Sequence, residues 1–127
     1  MKTYLIDSDT FIDFFKRKPS AVSLLETLGN SDELAISVLS IAELKAGWTE
    51  EEANVYLPKL YAITTIIDVT QDIGELGGSL RQRYEKKGTT LFTIDSLIAA
   101  TVIINKFCLV TGNKKKYPLS ELEIYTQ

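Results

Sequence analysis

Short apolar strands alternating with longer helical segments predict an α/β fold, a three-layer α/β/α sandwich built on a central, mainly parallel sheet. Tyr4-Leu5-Ile6, Glu33 to Ser37, Ile66-Ile67-Asp68-Val69 and Leu109-Val110 have strand character. Each is separated from the next by enough chain for at least one helix, as parallel pairing requires. Capping residues and Gly or Pro stops punctuate the helical stretches. With 127 residues and 45% hydrophobic content the chain suits one domain, 1–127, with a single core.

Taken in order, the first strand stops at Asp7, and Ser8 or Asp9 is expected to cap a helix from Thr10 to Lys18 with Phe11, Phe14 and Phe15 on one face. Pro19 breaks it, Ser20 is expected to cap a helix from Ala21 to Leu28, and Gly29-Asn30 suits its end. The strand Glu33 to Ser37 leads into an apolar-periodic helix around Ile41, Leu44 and Trp48. Thr49 to Ile63 reads as a helix with an acidic first turn, Glu50-Glu51-Glu52, and with Pro58 disturbing its course. Thr70 caps a long helix to Lys87 with Gly88 as its stop, and Thr93 is expected to cap Ile94 to Asn105. Leu122 to Tyr125 is a candidate last strand. In such sheets ligands bind beyond the carboxyl ends of the strands, where Asp7 and Thr111-Gly112-Asn113 would lie.

The chain contains no histidine, which removes the usual general base and a common metal ligand together. Ser-His-Asp and Cys-His hydrolases, histidine-based ribonucleases and His-ligated zinc hydrolases are excluded. Carboxylate chemistry with oxygen-ligated magnesium or manganese remains. The single cysteine, Cys108, forms no internal disulfide and fits a reducing compartment. No hydrophobic run approaches the ~20 residues of a membrane-spanning helix and no secretory signal is evident, so a cytoplasmic protein is expected. The net charge of −3 argues against a general nucleic-acid coat protein. The basic residues nevertheless cluster, at Lys16 to Lys18, at Arg81, Arg83, Lys86 and Lys87, and at Lys114, Lys115 and Lys116. Clustering of this kind can give a locally positive face, against the alternative of solvated helix ends.

Three acids stand out, each with a structural role competing for it. Asp7 follows an apolar strand, where it can cap the next helix or hold a cation. Glu43 closes Ser40-Ile41-Ala42-Glu43, which fits a capping box, yet its apolar neighbours draw that turn inward. Asp95 is the lone acid in the first turn of an otherwise apolar helix, suited to the helix dipole or to a cation shared with Asp7.

Together, the strand ending at Asp7, Ser40-Ile41-Ala42-Glu43-Leu44, Asp95-Ser96-Leu97-Ile98-Ala99-Ala100-Thr101 and Val110-Thr111-Gly112-Asn113 resemble the PIN domain. The likeness is to VapC-type ribonuclease toxins of toxin–antitoxin pairs, and it runs nearly end to end. It implies that Asp7, Glu43 and Asp95 are catalytic and bind Mg2+ (or Mn2+), with Asp9, Thr111 and Asn113 as auxiliaries. Many members carry a fourth acid three residues after the asparagine; here that residue is Lys116. The expected activity is endonucleolytic cleavage of RNA by metal-activated water, leaving 5′-phosphate and 3′-hydroxyl ends. Arg81, Arg83 and Lys114 to Lys116 are candidate contacts to RNA phosphates. A homodimer and a small cognate antitoxin, with a basic side chain entering the acidic groove, are the partners the resemblance implies. Some of Phe11, Phe14, Phe15 and Trp48 could serve that interface, core packing being the expected fate of most.

Two other functions compete. Asp7-Ser8-Asp9-Thr10 fits the DxDxT motif of haloacid-dehalogenase-type phosphatases, but only fourteen residues follow Asn113, too few for that class's downstream acidic motif. Lys116 in an acid's place raises a PIN-like RNA-binding module that does not cleave.

Overall fold

The computed structural model describes residues 1–125, in which four strands form one parallel sheet. These are β1 (Thr3–Ile6), β2 (Glu33–Ser37), β3 (Thr65–Ile67) and β4 (Cys108–Val110), ordered β3-β2-β1-β4. Because side chains alternate along a strand, Tyr4, Ile6, Leu34, Ile36, Cys108 and Val110 pack on one face, and Leu5, Ala35 and Leu109 on the other. The first face is covered by α1 (Ser8–Phe15), α2 (Pro19–Gly29), α3 (Val38–Gly47) and α4 (Glu50–Ile63), through Phe11, Leu25, Leu44 and Leu60. The second is covered by α5 (Gln71–Lys86) and α6 (Thr93–Asn105), through Ile73, Leu80, Ile98 and Val102. The three-layer sandwich expected from the sequence is the one observed. No helix among the described residues is long and apolar enough to cross a membrane.

The topology places the site. From β1 the chain steps outward through β2 to β3, then returns to lay β4 on the opposite side of β1. The sheet therefore reverses its winding between β1 and β4, and a crevice opens beyond their carboxyl ends. Ile6 pairs with Val110 and the Asp7 N–H donates to the Val110 carbonyl at 2.9 Å, so Asp7 and Thr111 leave the sheet side by side.

Several helix starts differ from expectation. The cap of α1 is Asp7 itself, and the helix ends at Phe15, where Arg17 adopts a left-handed φ of +60°. Pro19 opens α2 directly, since its missing N–H is no loss in the first turn, and Ser20 lies inside the helix instead of capping it. The next helix, α3, starts straight after β2 with Ser37 as its cap. The capping box at Ser40 and Glu43 consequently does not form. It forms instead at Thr49 and Glu52 of α4, which runs unbroken through Pro58 on its exposed side. Thr70 caps α5 as expected, and Gly88 supplies a positive φ of +82° just after it. In α6, Phe92 holds the cap position without a side-chain bond, and the Thr93 hydroxyl accepts from Arg81 instead. The strand at Ile66–Val69 lies at Thr65–Ile67. Leu122 to Tyr125 makes one parallel bridge, Leu109 to Ile124, and not a full strand.

The two helices of the second face approach closely at Gly77, where a Cβ would lie 2.8 Å from Leu97 Cδ2 and 3.5 Å from Leu97 Cα. Gly77→Leu is expected to force α5 and α6 apart at a cost of about 1–3 kcal/mol. Urea unfolding measures it, and an unchanged midpoint would contradict this packing.

Candidate active site

Asp7 is 1% exposed, so every lone pair it carries needs a partner. Its Oδ1 accepts the Ser8 N–H at 2.9 Å and caps α1. Its Oδ2 accepts the Thr111 hydroxyl at 2.9 Å, the Tyr117 hydroxyl at 3.0 Å and the Lys116 ammonium at 3.1 Å. The helix-capping role and a place in the site, alternatives on sequence, are filled by one carboxylate with one oxygen each.

The other acids gather around it from separate elements. Asp95, in the first turn of α6, places Oδ1 at 4.0 Å from the Lys116 ammonium. Glu43, on the exposed side of α3, accepts the Ser8 hydroxyl at 3.2 Å. Beside it only Leu44 and Ser40 are buried, Ala42 being exposed, so α3 is drawn inward less than its composition implies. Asp9 accepts the Gly112 N–H at 2.9 Å, and a Cβ at Gly112 would meet that same oxygen at 2.9 Å. Thr111 is the hinge of the β4 end, donating to Asp7 and accepting the Asn113 backbone N–H at 3.1 Å. Asn113 also accepts the Lys116 N–H at 3.2 Å through its carbonyl, and among the described residues its side chain makes no hydrogen bond.

Loss of solvent around the carboxyl group pushes Asp9, Asp95 and Glu43 above the ordinary carboxylate range, in Glu43 although the residue as a whole is exposed, and the charge of Asp7 adds to each. Hydrogen bonds from Gly112 to Asp9 and from Ser8 to Glu43 offset this only in part. The cluster thus favours positive charge, and Lys116 supplies some. Burial alone would pull its ammonium down, but Asp7, through charge and hydrogen bond, and Asp95 and Asp9 through charge hold its pKa above the usual lysine value. The Tyr117 phenol is pushed up by burial first and then by Asp7, so it stays neutral and donates.

Tyr117 and Ser8 are site contributors that sequence reasoning missed as such. Ser8 has the look of a cap residue, and Tyr117 belongs to no motif beyond standing next to Lys116. Among the basic candidates, Lys116 points into the site from a 3₁₀ turn, Lys114–Lys116, while Lys114 and Lys115 are exposed on it. Arg81 donates to the Thr93 hydroxyl at 2.8 Å, at the start of the helix that carries Asp95. Arg83 is instead engaged by Glu121, which also accepts from Tyr84.

The donor set is entirely oxygen, which suits magnesium or manganese over softer ions. Among the described residues no three acids are gathered tightly enough to ligate one ion together. In this arrangement the Lys116 ammonium is the cation shared by Asp7 and Asp95.

An apolar groove of about 760 Å³ runs over α1, α2 and α4, lined by Phe14, Phe15, Val22, Tyr56 and Ile63 among others. Phe15 stacks on Tyr56 at 4.7 Å and meets Trp48 edge-on at 5.4 Å, whereas Phe11 is wholly in the core. A neighbouring cleft of about 330 Å³ shares Phe15 and Tyr56 with the groove and is bordered by Glu43.

The model of the PIN domain family matches residues 4–121. The chain is 35% identical over 116 residues to the protein named Ribonuclease VapC19 of Mycobacterium tuberculosis, covering 91% of this chain and 92% of that one. It is 32% identical over 118 residues to Ribonuclease VapC10 of the same organism, covering 92% and 87%. Among solved structures, VapBC2 from Rickettsia felis bound to a DNA fragment from its promoter superposes with a TM-score of 0.88 at 27% identity, covering 98% of both chains.

Proposed function

The chain belongs to the PIN domain family, and from that premise we propose that it is a magnesium-dependent endoribonuclease, the toxin of a VapBC-type toxin–antitoxin pair. The observation that supports this most is the acidic cluster at the sheet's switch point, with Asp9, Glu43 and Asp95 all held above the usual carboxylate range. Such a cluster favours a hard cation over isolated protons near neutral pH. The relatives named Ribonuclease VapC, at 32–35% identity, support RNA as the substrate.

Asp7 and Asp95 would hold the ion, directly or through waters, and Glu43, too far to ligate it together with both, would reach it only through a water. When bound, the ion supplies Lewis-acid stabilisation of charge on the phosphate and lowers the pKa of the attacking water. The chain's own residues do the rest. Glu43, steadied by Ser8, orients the attacking water and receives its proton at a carboxylate oxygen. Tyr117 and Thr111 hold the Asp7 carboxylate in one orientation, which fixes the geometry on which an in-line displacement depends. Lys114 and Lys115, exposed at the rim of the same strand end, would meet RNA phosphates, and Arg81 would do so from α5, where it already reaches the Thr93 hydroxyl at the start of α6.

The antitoxin is the second part of the proposal. The VapBC2 structure from Rickettsia felis is a complex bound to promoter DNA, and the aromatic groove here suits the apolar face of a partner segment. From it, a basic side chain would reach the carboxylates along the Glu43 cleft and compete for them. Homodimerisation and a cytoplasmic location complete the proposal by family likeness.

Cleavage of a single-stranded RNA by purified protein tests it. Cleavage is expected with Mg2+ or Mn2+, to stop in EDTA and to return on metal add-back, leaving 5′-phosphate ends. RNA binding without cleavage under any divalent ion would instead make the protein a binding module. Hydrolysis of p-nitrophenyl phosphate in the absence of RNA cleavage would make it a phosphatase.

A further inference from the structure

We infer that Lys116 is a tethered cation that competes with the divalent ion for Asp7 and Asp95, so that ion entry requires the ammonium to leave. This deepens the proposed metal-dependent reading and rests on it. The Lys116 ammonium lies 3.1 Å from Asp7 Oδ2 and 4.0 Å from Asp95 Oδ1, the two carboxylates that would share the ion. Its side chain is 28% exposed, so the ammonium is not waving in solvent but is seated among the acids.

The backbone directs it there. Tyr117 and Leu119 are buried at 3% and 4% exposure and anchor the chain after β4, and the Tyr117 hydroxyl is tied to Asp7. With residue 117 pinned, the 3₁₀ turn from Lys114 to Lys116 leaves its first two lysines outside and turns the third inward. The Lys116 ammonium also stands 5.4 Å from the centre of the Tyr117 ring, a second favourable contact that holds the seated position.

The physical consequence is a contest between two cations for the same oxygens. A divalent ion drawn to Asp7 and Asp95 would stand within a few ångströms of a positive charge tethered by its own chain, and like charges at that range repel strongly in a half-buried site. The lysine therefore lowers the divalent affinity of the site. In exchange it neutralises the buried Asp7 carboxylate when no ion is bound, a role that solvent cannot take at 1% exposure. Upon ion entry the ammonium swings out toward the crevice, where the phosphates of a bound RNA would be its nearest counter-charges.

Calorimetric titration of the purified protein with Mn2+ alone, without RNA, tests this independently of catalysis. Lys116→Met and Lys116→Gln are expected to bind Mn2+ at least tenfold more tightly than wild type, and the charge-keeping Lys116→Arg to bind no more tightly than wild type. Thermal melts give a second readout, because an ion that binds more tightly raises the melting temperature more at the same concentration. Added Mn2+ should therefore raise Tm more in the neutral variants than in wild type. Should Lys116→Met fail to fold in metal-free buffer, Lys116→Gln carries the comparison. Neutral variants that bind Mn2+ no more tightly than wild type would overturn the competition while leaving the metal-dependent nuclease intact. Failure of every form, wild type included, to bind Mn2+ would overturn both.

Discussion

Asp7→Asn is expected to abolish RNA cleavage and to lower folding stability by about 3 kcal/mol, because it unbalances a buried set of donors. The native carboxylate offers both oxygens: one to the Ser8 N–H, the other to Thr111, Tyr117 and Lys116. An amide has one oxygen. If that oxygen keeps Ser8, the NH2 group faces the Lys116 ammonium, which can only donate, and two hydroxyls that must turn round to accept from it, Thr111 while already accepting the Asn113 N–H. If it turns to them, the cap of α1 loses its acceptor and an N–H donor confronts another N–H. The same size and shape therefore do not rescue the variant, and Asp7→Ala should be at least as damaging. Urea unfolding and an RNA cleavage assay measure the two effects. A variant that loses activity with unchanged stability would mean that the donors around Asp7 find other partners without cost.

Asp95→Asn should behave differently. Cleavage is expected to fall at least about 100-fold, the scale of losing one group that stabilises the transition state. Stability in EDTA, however, is expected to rise at neutral pH. Burial holds the Asp95 carboxyl above its ordinary pKa, with the pull of Lys116 insufficient to reverse it. A carboxyl that binds its proton more tightly when folded than when unfolded costs the folded state nothing below the ordinary carboxylate pKa. That cost grows as pH rises through the raised folded value. The advantage of the asparagine variant should accordingly shrink as the buffer is acidified from neutral pH. Paired thermal melts of wild type and variant across that range decide it, and a difference that widens on acidification would contradict the sign. Opposite movements of activity and metal-free stability in one variant would mark Asp95 as a residue whose charge serves a ligand and not the fold.

Much of this was legible in one dimension. Strands of a parallel sheet with both faces covered carry apolar residues at every position, and Tyr4-Leu5-Ile6 and Leu34-Ala35-Ile36 do so. The caps at Thr49 and Thr70 follow local rules that depend only on residues within a turn, and both formed as local chemistry dictates. Four starts did not. The caps expected at Ser8 or Asp9, Ser20, Ser40 and Thr93 all lie inside helices that began earlier, with Asp7 just after β1, Pro19 and the end of β2 setting the backbone in three of the cases. Freed from a capping box, Glu43 turns to Ser8 across 35 residues of sequence, a contact that no local pattern encodes.

The sequence by itself determined the layer architecture and the kinds of chemistry open to the chain, since alternation sets burial and the absence of histidine leaves carboxylates for catalysis. It also singled out Asp7 and Asp95, lone charges after an apolar strand and in an apolar helix, while leaving a structural role and a cation as alternatives for each. Tertiary structure alone decided how those acids are neutralised. The Asp7 carboxylate is met by groups 104, 109 and 110 positions away, at Thr111, Lys116 and Tyr117, because β4 lies against β1 and delivers its following turn to the same crevice. Sign and distance of a charge govern a site, and distance across the fold is the quantity that a string of residues does not contain.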